Sequence, residues 1–202
     1  MSGRLELIIG CMYSGKTTEL IRLIDRYRSI NKNMMILNYI QDTRYGDDNK
    51  IYTHSKLGVE AIHLDSLMSI FMDPQLKKMY QEAEIIFINE GQFFGELFQF
   101  CLKSVDLDNK TVVVCGLDGD FERKPFGDIL NLIPHSDKIT RLTAMCKMCN
   151  NGTPGIFTCR TIDSKEQTLI GGDESYMPVC RKHYNEKIEI SKLVSSEIEL
   201  VN

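Results

Sequence analysis

The sequence predicts an α/β fold, in which helices cover both faces of a parallel β-sheet and a small loop-rich domain follows. Apolar runs of strand length alternate with helical periodicity along residues 1–142, and a glycine-rich motif joins the first run to the first helix. Beyond residue 142 the periodicity weakens, and glycines and paired cysteines become frequent. Continuous apolar strands between helices are typical of parallel sheets, which are buried on both faces. We therefore expect an α/β domain at 1–142, a small domain at 143–190 and a C-terminal tail at 191–202.

The predicted strands are four short apolar runs separated by longer segments. They are Leu5–Ile9, Met34–Asn38, Ile85–Ile88 and Val112–Cys115. Runs of this length are shorter than typical helices, so their length favours buried strands. The first run ends at Gly10 and the last at Gly116, as expected where a strand gives way to a turn.

Three segments between these strands carry apolar residues at helical spacing. The first helix is predicted to begin at Thr17, and its apolar face contains Leu20, Leu23, Ile24 and Tyr27. In the second segment Asp73 is a suitable N-cap and Pro74 a suitable first residue, which predicts a helix over 74–83. The third segment has one apolar face, formed by Leu97, Phe98, Cys101, Leu102 and Val105.

The composition argues against several classes of protein. The chain has 202 residues, with 24 lysines and arginines against 28 aspartates and glutamates, so its formal net charge is −4. Duplex-binding proteins usually carry a basic face, but the basic runs here are as short as Arg123-Lys124, so we expect no nucleic-acid partner. No apolar segment approaches the roughly 18 residues of a membrane span, and the N-terminal run is too short for a signal peptide. We therefore expect a cytoplasmic protein with no membrane partner, whose seven cysteines are thiols or metal ligands.

The segment Gly10–Thr17 matches the phosphate-binding pattern G-x-x-x-x-G-K-[ST]. Its glycines allow backbone N–H groups to point at phosphate oxygens, and the following helix adds its positive N-terminal end. Lys16 is expected to reach the β- and γ-phosphates of ATP, and the Thr17 hydroxyl to bind Mg²⁺. The predicted nucleotide-binding residues are Gly10, Met12, Tyr13, Ser14, Gly15, Lys16, Thr17 and Thr18. The alternative is a glycine-rich turn followed by a surface lysine.

Two pairs of metal-ligand residues lie far apart in the small domain: Cys146 with Cys149, and Cys180 with His183. A CxxC turn brings two thiolates to one tetrahedral Zn²⁺, and a second pair completes the coordination. Such a closed shell predicts a structural zinc that fixes both ends of a long loop. The alternatives are four ordinary side chains or a redox-active CxxC. Among the remaining cysteines, Cys101 and Cys115 are interpreted as core residues.

Polar residues follow the third predicted strand, where Ile85–Ile88 is succeeded by Asn89 and Glu90. In P-loop enzymes a strand next to the phosphate loop ends in a carboxylate that serves the Mg²⁺ site. A glutamate close to the phosphates can also accept the proton of an attacking hydroxyl. The alternative for Glu90 is a solvated surface side chain.

Taken together, these motifs resemble the type II thymidine kinases of animals, many bacteria and poxviruses. The resemblance covers about residues 4–185. Its other stretches are Asp42–Tyr45, Thr53-His54, Glu90–Phe94, Leu117–Phe121, Arg123–Phe126, Leu130–Pro134, Leu142–Ala144 and Ile170–Gly172 before Tyr176.

The resemblance implies a RecA-like P-loop domain and a zinc-binding lasso domain. It implies transfer of the ATP γ-phosphate to the 5′-hydroxyl of thymidine, and also of deoxyuridine, to give the monophosphate in nucleotide salvage for DNA synthesis. Glu90 is then the general base, and Lys16 and Arg44 stabilise the transferring phosphoryl group. Asp42 matches a loop near Mg²⁺ and the phosphates.

The family pattern also implies a nucleoside pocket and a homotetramer that is inhibited by thymidine triphosphate. The α/β domain contributes Met12, Phe93, Leu117, Phe121 and Phe126 to the pocket, and the lasso contributes Thr158, Leu169, Gly171 and Tyr176. Without the resemblance, each apolar residue in this set is interpreted as ordinary core.

Three positions depart from the family pattern. Asn89 stands where Asp is usual, His183 replaces the commoner fourth cysteine, and the segment Asn150–Gly155 is longer than usual. Asn89 favours one alternative function, a nucleotide-binding protein that no longer catalyses. The family residues Asp42 and Arg44, together with Glu90, favour the kinase. A zinc-ribbon module that binds nucleic acid is a third hypothesis, and the acidic net charge opposes it.

Overall fold

The computed structural model describes residues 2–40, 50–52, 58–162 and 175–187. Its strands in chain order are β1 (Arg4–Gly10), β2 (Met34–Tyr39), β3 (Lys50–Tyr52), β4 (Gly58–Glu60), β5 (Ile62–Leu64), β6 (Ile85–Ile88), β7 (Thr111–Leu117), β8 (Lys138–Leu142), β9 (Ala144–Met145), β10 (Pro154–Gly155), β11 (Phe157–Arg160) and β12 (Tyr176–Val179). In the described part of the chain, six strands form one sheet in the order β5-β2-β6-β7-β1-β8, and every pairing in it is parallel. The predicted parallel sheet is therefore confirmed, and the four predicted runs are β1, β2, β6 and β7.

The helices also follow the predicted pattern. They are α1 (Lys16–Arg28), α2 (Ser69–Met72), α3 (Pro74–Glu82) and α4 (Leu97–Leu102), with a π-helical turn at Lys103–Leu107 and 3-10 helices at Gly91–Phe93 and Ile129–His135. Residues 181–187 are helical as well. The predicted cap of α3 is confirmed, because the Asp73 side chain accepts hydrogen bonds from the backbone N–H groups of Gln75 and Leu76 at 2.7 and 2.9 Å.

Helices cover both faces of the sheet, as expected for buried parallel strands. On one face, α1 and the β3–β4 hairpin pack against the side chains of Ile8, Phe87, Val113 and Cys115. On the other face, α2, α3 and α4 pack against alternate residues of the same strands, including Leu7, Leu37, Ile88 and Val114. Cys101 and Cys115 are fully buried in these two cores, as predicted.

The sheet order brings three loops to the same edge. The strands β1, β6 and β7 are parallel, so the loops that follow Gly10, Ile88 and Leu117 leave the sheet at its carboxyl edge. Strand β6 does not neighbour β1, because β7 pairs with both and lies between them. Asn89 and Glu90 therefore follow a strand that is separated from the phosphate-loop strand by β7.

The segment after β8 forms small antiparallel pairs. Strand β9 pairs with β10, and β11 pairs with β12. Their own apolar cluster is formed by Cys146, Cys159, Val179, Cys180 and Tyr184. Across the described ranges, no helix has the length and apolar character needed to cross a membrane.

Candidate active site

The predicted phosphate loop, Gly10–Thr17, runs from the end of β1 into the first turn of α1. Gly10 has φ 152°, and a Cβ at this position would lie 2.2 Å from the carbonyl oxygen of Leu142, so only glycine fits. Gly15 is the N-cap of α1 with φ 83° and forms no side-chain cap. The first N–H groups of the helix are therefore not satisfied by a capping side chain, which suits the binding of an anion.

Lys16 is not a surface lysine. Its side chain is folded back over the loop, its exposed fraction is 9%, and its Nζ donates to the backbone oxygen of Cys11 at 2.7 Å. The Ser14 Oγ is buried and has no hydrogen-bond partner among the described residues. Thr17 is half-buried and Thr18 exposed in the first turn of α1. A buried ammonium group, an unpartnered hydroxyl and a helix N-terminus are the groups that a bound phosphate satisfies.

Glu90 is placed just beyond β6 in a strained backbone conformation. It has φ 53° and ψ 40°, in the left-handed region that non-glycine residues rarely adopt, and only 8% of its surface is exposed. The Gln92 Nε2 donates to its Oε2 at 2.6 Å, while the Gln92 Oε1 accepts from the backbone N–H of Leu117 at 3.0 Å. Gln92 thus joins the carboxylate to the loop after β7. Backbone strain that surrounding contacts maintain is frequent at functional sites.

Gly116 makes this bridge feasible. A Cβ on Gly116 would lie 2.4 Å from the Gln92 Oε1, so a larger residue would displace the amide that fixes Glu90. The solvated-surface alternative for Glu90 therefore does not describe its environment.

Asn89 lies beside Glu90 and contacts the neighbouring strand. Its Nδ2 donates to the Oδ1 of Asn38 at 2.9 Å, and its own Oδ1 is buried without a partner among the described residues. An unpartnered buried oxygen at the carboxyl edge fits a magnesium-bound water, because such water donates hydrogen bonds.

Aromatic rings next to Glu90 form part of the predicted nucleoside pocket. The ring of Phe93 stacks on Tyr39 at a centroid distance of 5.0 Å and meets Phe126 edge-to-face at 5.3 Å. Met12 of the phosphate loop donates its backbone N–H to the Thr158 Oγ1 at 3.0 Å. The loop after β1 and strand β11 are therefore in direct contact.

Arg160 joins two other predicted pocket residues. Its guanidinium lies 3.7 Å from the ring centroid of Phe121 and donates to the Tyr176 hydroxyl at 2.7 Å. The Tyr184 hydroxyl donates to the backbone oxygen of Phe121 at 2.6 Å. These contacts hold the loop after β7 against the small domain. The predicted site residues Asp42, Arg44, Leu169 and Gly171 lie outside the described residues.

The four predicted zinc ligands converge. The ligand atoms of Cys146, Cys149, Cys180 and His183 all lie within 4.8 Å of one another. The His183 Nδ1 is 3.4–3.5 Å from the three sulfurs, and the Cys149 and Cys180 sulfurs are 3.8 Å apart. A tetrahedral zinc with bonds of about 2.3 Å to sulfur and about 2.0–2.1 Å to nitrogen sets its ligands about 3.5–3.8 Å apart. The cluster is therefore compatible with a zinc site.

The two thiols of the CxxC turn are shifted in opposite directions, because burial raises the pKa of Cys149 whereas the pKa of Cys146 is lowered. Burial raises the pKa of the Cys146 thiol, but hydrogen bonds from the backbone of Cys149 and Cys180 and from the His183 ring outweigh it and lower that pKa to about 6. A thiolate is the form of cysteine that binds metal.

Comparison with known proteins decides the family. The family model described as "Thymidine kinase" matches residues 3–184. The chain belongs to the thymidine kinase family. The resemblance inferred from the motifs is thereby confirmed.

Relatives of this thymidine kinase family member come from plants, an amoeba and poxviruses. It is 43% identical to "Thymidine kinase a" of Arabidopsis thaliana over 183 residues, which cover 91% of this chain and 75% of that protein. It is 40% identical to "Thymidine kinase 1" of Dictyostelium discoideum, with 92% and 79% coverage. It is 39% identical to the thymidine kinase of Rabbit fibroma virus, with 90% and 96% coverage.

Three residues that contact the candidate site residues were not singled out from the sequence. Gln92 lies within a motif of the thymidine kinase family, but nothing in the spacing shows that its amide reaches both Glu90 and Leu117. Asn38 is a polar residue within the apolar strand β2, and Arg160 is a buried cation at the end of β11. A buried polar residue is a usable signal, but only the structure identifies its partner.

Proposed function

We propose that this chain is an active thymidine kinase, which transfers the γ-phosphate of ATP to the 5′-hydroxyl of thymidine. The observation that carries the proposal is the common placement of the phosphate loop and Glu90 at the carboxyl edge of one parallel sheet. The amide of Gln92 orients the Glu90 carboxylate through a hydrogen bond of 2.6 Å. A positioned carboxylate beside a phosphate site is what removal of a hydroxyl proton requires.

We assign the nucleotide to the loop at residues 10–18. Backbone N–H groups and the Lys16 ammonium bind the ATP phosphates, for which Lys16 exchanges its hydrogen bond to the Cys11 oxygen. Thr17, Asp42 and the Asn89 oxygen are the candidates to hold Mg²⁺ and its water, and Arg44 contacts the transferring group. When bound, Mg²⁺ neutralises charge that develops on the phosphates.

The nucleoside is assigned to the pocket between the α/β domain and the lasso. The apolar surface for the thymine base comes from Met12, Phe93, Leu117, Phe121 and Phe126. The lasso residues assigned to the same pocket are Thr158, Leu169, Gly171 and Tyr176. In the reaction, Glu90 accepts the proton of the 5′-hydroxyl, and the hydroxyl oxygen bonds to the γ-phosphorus while the bond to ADP breaks. Deoxyuridine has the same hydroxyl and lacks only the methyl group, so we expect it to be a second substrate.

We further propose that the Cys146, Cys149, Cys180 and His183 cluster holds a structural zinc and that the domain boundary lies near residue 142. The separate apolar cluster around Cys146 and Tyr184 supports this division. From the family resemblance we also propose a cytoplasmic homotetramer that thymidine triphosphate inhibits.

One assay tests the proposed function against its alternative. Purified protein is incubated with ATP and Mg²⁺ and with each deoxynucleoside in turn, and ADP release is measured. We expect turnover with thymidine and deoxyuridine. Binding of ATP without any turnover would support the non-catalytic nucleotide-binding protein that Asn89 favours.

A further inference from the structure

A short row of polar side chains crosses three neighbouring strands at the carboxyl edge. His63 of β5 is paired in register with Asn38 of β2, and Asn38 is hydrogen-bonded to Asn89 after β6. These residues alternate with Leu37 and Ile88, whose side chains pack in the core on the α4 side. Because side chains alternate along a strand, the row lies on the face that carries α1. The N-terminus of α1 closes the phosphate loop on the same face.

The two amides of this row are buried, His63 is half-buried, and the row is incompletely hydrogen-bonded. Asn38 is fully buried and Asn89 is 2% exposed. The Asn38 Nδ2, the Asn89 Oδ1 and the His63 Nε2 have no partner among the described residues. An unsatisfied buried polar atom is costly, whereas apolar residues in place of both amides would be nearly neutral. A purely structural contact between two strands therefore does not explain why two amides occupy these positions.

The single hydrogen bond between the amides has a direction that suggests a use. With the two amides in this orientation, Asn89 donates one N–H to Asn38 and its acceptor oxygen is unpaired among the described residues. We propose that Asn38 is a positioning residue that holds the Asn89 oxygen toward the Mg²⁺-bound water of the nucleotide. The inference rests on the proposed function. A carboxylate at this position would need no orientation of this kind, because both of its oxygens are acceptors.

The test measures magnesium dependence of nucleotide binding, which does not require turnover. The affinity for ATP is determined by calorimetry at increasing Mg²⁺ for the wild type, Asn38→Leu and Asn38→Asp. Loss of the acceptor in Asn38→Leu should raise the half-saturating Mg²⁺ concentration about threefold to tenfold, the effect of one hydrogen bond. The carboxylate of Asn38→Asp still accepts from the Asn89 Nδ2, so its half-saturating concentration should not exceed that of the wild type. The thymidine KM should be unchanged in both.

Two controls separate positioning from stability. Ser104→Ala removes a buried hydrogen bond to the Tyr80 hydroxyl, 3.0 Å long, in the core on the opposite face, and should leave the magnesium dependence unchanged. In an Asn89→Leu background, Asn38→Leu should cause no further rise, because Asn38 acts only through Asn89. If Asn38→Leu does not fold, Asn38→Ser repeats the test, since its hydroxyl is too short to reach Asn89.

The outcomes are distinct. A wild type that binds ATP·Mg²⁺ but does not phosphorylate thymidine contradicts the proposed function and leaves the binding test of Asn38 valid. The positioning role of Asn38 would be overturned if the wild type and Asn38→Leu gave equal magnesium curves. It would also be overturned if Asn38→Leu raised the half-saturating Mg²⁺ concentration equally in the Asn89→Leu background.

Discussion

At the scale of single residues, the site depends on side chains whose orientation is fixed by a neighbour. Glu90 keeps a left-handed backbone and a hydrogen bond to Gln92, which is itself bonded to Leu117. A residue held at φ 53° costs of the order of 1–3 kcal/mol and keeps this conformation only because surrounding contacts fix it. The arrangement therefore trades a small part of the stability of the fold for a carboxylate in a defined position.

Glu90→Gln tests the general base. Glutamine retains size and polarity but cannot accept the proton, so we expect kcat to fall at least about 10²-fold with little change in thymidine affinity. Steady-state kinetics and thymidine binding by calorimetry measure the two effects. Near-normal turnover would remove Glu90 from the mechanism.

Asn89→Asp tests whether the side chain at position 89 holds the Mg²⁺-bound water. A hydrogen bond to a charged group is worth about 1.5–3 kcal/mol against about 1 for a neutral pair, so the aspartate should gain on the order of 1 kcal/mol. We expect the half-saturating Mg²⁺ concentration for turnover to fall by up to about tenfold, with thymidine KM nearly unchanged. The Asn38 amide can turn to donate to the new carboxylate, since its Nδ2 is unpartnered among the described residues.

A magnesium titration of the two proteins decides the point. Identical curves would mean that the side chain at position 89 does not serve the metal. A wild type that is inert at every Mg²⁺ concentration, beside an active Asp variant, would favour the non-catalytic alternative.

At the scale of elements, the small domain is attached to the nucleotide-binding domain through a few specific contacts. The Arg160 guanidinium covers Phe121 and bonds to Tyr176, and Arg123 lies 4.5 Å from the ring centroid of Tyr184. Both contacts involve the loop after β7, and this loop also contributes to the candidate nucleoside pocket. Loss of the Arg160 contacts should therefore be felt first at the nucleoside, whereas the Thr158–Met12 hydrogen bond links the same domain to the phosphate loop.

Arg160→Lys tests this attachment. A lysine cannot both stack on Phe121 and reach Tyr176, and a desolvated cation–π contact is worth about 2 kcal/mol. We expect thymidine KM to rise roughly tenfold while ATP KM changes little. Arg28→Lys, which alters an exposed ion pair with Asp25, is the control and should change neither constant. Parallel increases in both KM values would indicate general destabilisation instead.

Removal of zinc tests the cluster. Because binding energy at such a site is also folding energy, chelation or Cys149→Ser should lower the melting temperature and strongly raise thymidine KM. Elemental analysis should find one zinc per chain in the wild type and in His183→Cys, which retains four ligands. A wild-type preparation with well under one zinc per chain would contradict the assignment.

The elements also show how far sequence patterns reach. The strands β1, β2, β6 and β7 were predictable because both of their faces are buried, and the cap of α3 because Asp73 and Pro74 are adjacent. The edge strands β5 and β8 were missed, since β5 has three residues and β8 is largely exposed, so neither shows a continuous apolar run. The zinc ligands were predictable from spacing, whereas the Asn38–Asn89 and Gln92–Leu117 contacts depend on strand order, which spacing does not encode.

At the scale of the whole molecule, the parallel sheet organises the chemistry. Strand β7 separates the phosphate-loop strand β1 from β6, which Asn89 follows. Strand β7 itself ends at Leu117, and Phe121 lies in the loop beyond it. Three consecutive strands, β1, β7 and β6, thus lead to the candidate phosphate-binding loop, the candidate thymine-binding loop and the candidate general base, Glu90. The small domain reaches the same edge through the contact between Thr158 and Met12.

The central claim is that this edge transfers phosphate to a nucleoside, and radiolabelled ATP tests it directly. The protein is incubated with ATP labelled at the γ-phosphate, Mg²⁺ and thymidine, and the products are separated by chromatography. We expect the label in thymidine 5′-monophosphate, and its loss in Lys16→Met, which lacks the ammonium group of the phosphate loop. Label that stays in ATP, or appears only as inorganic phosphate, while ATP and thymidine both bind would contradict the account.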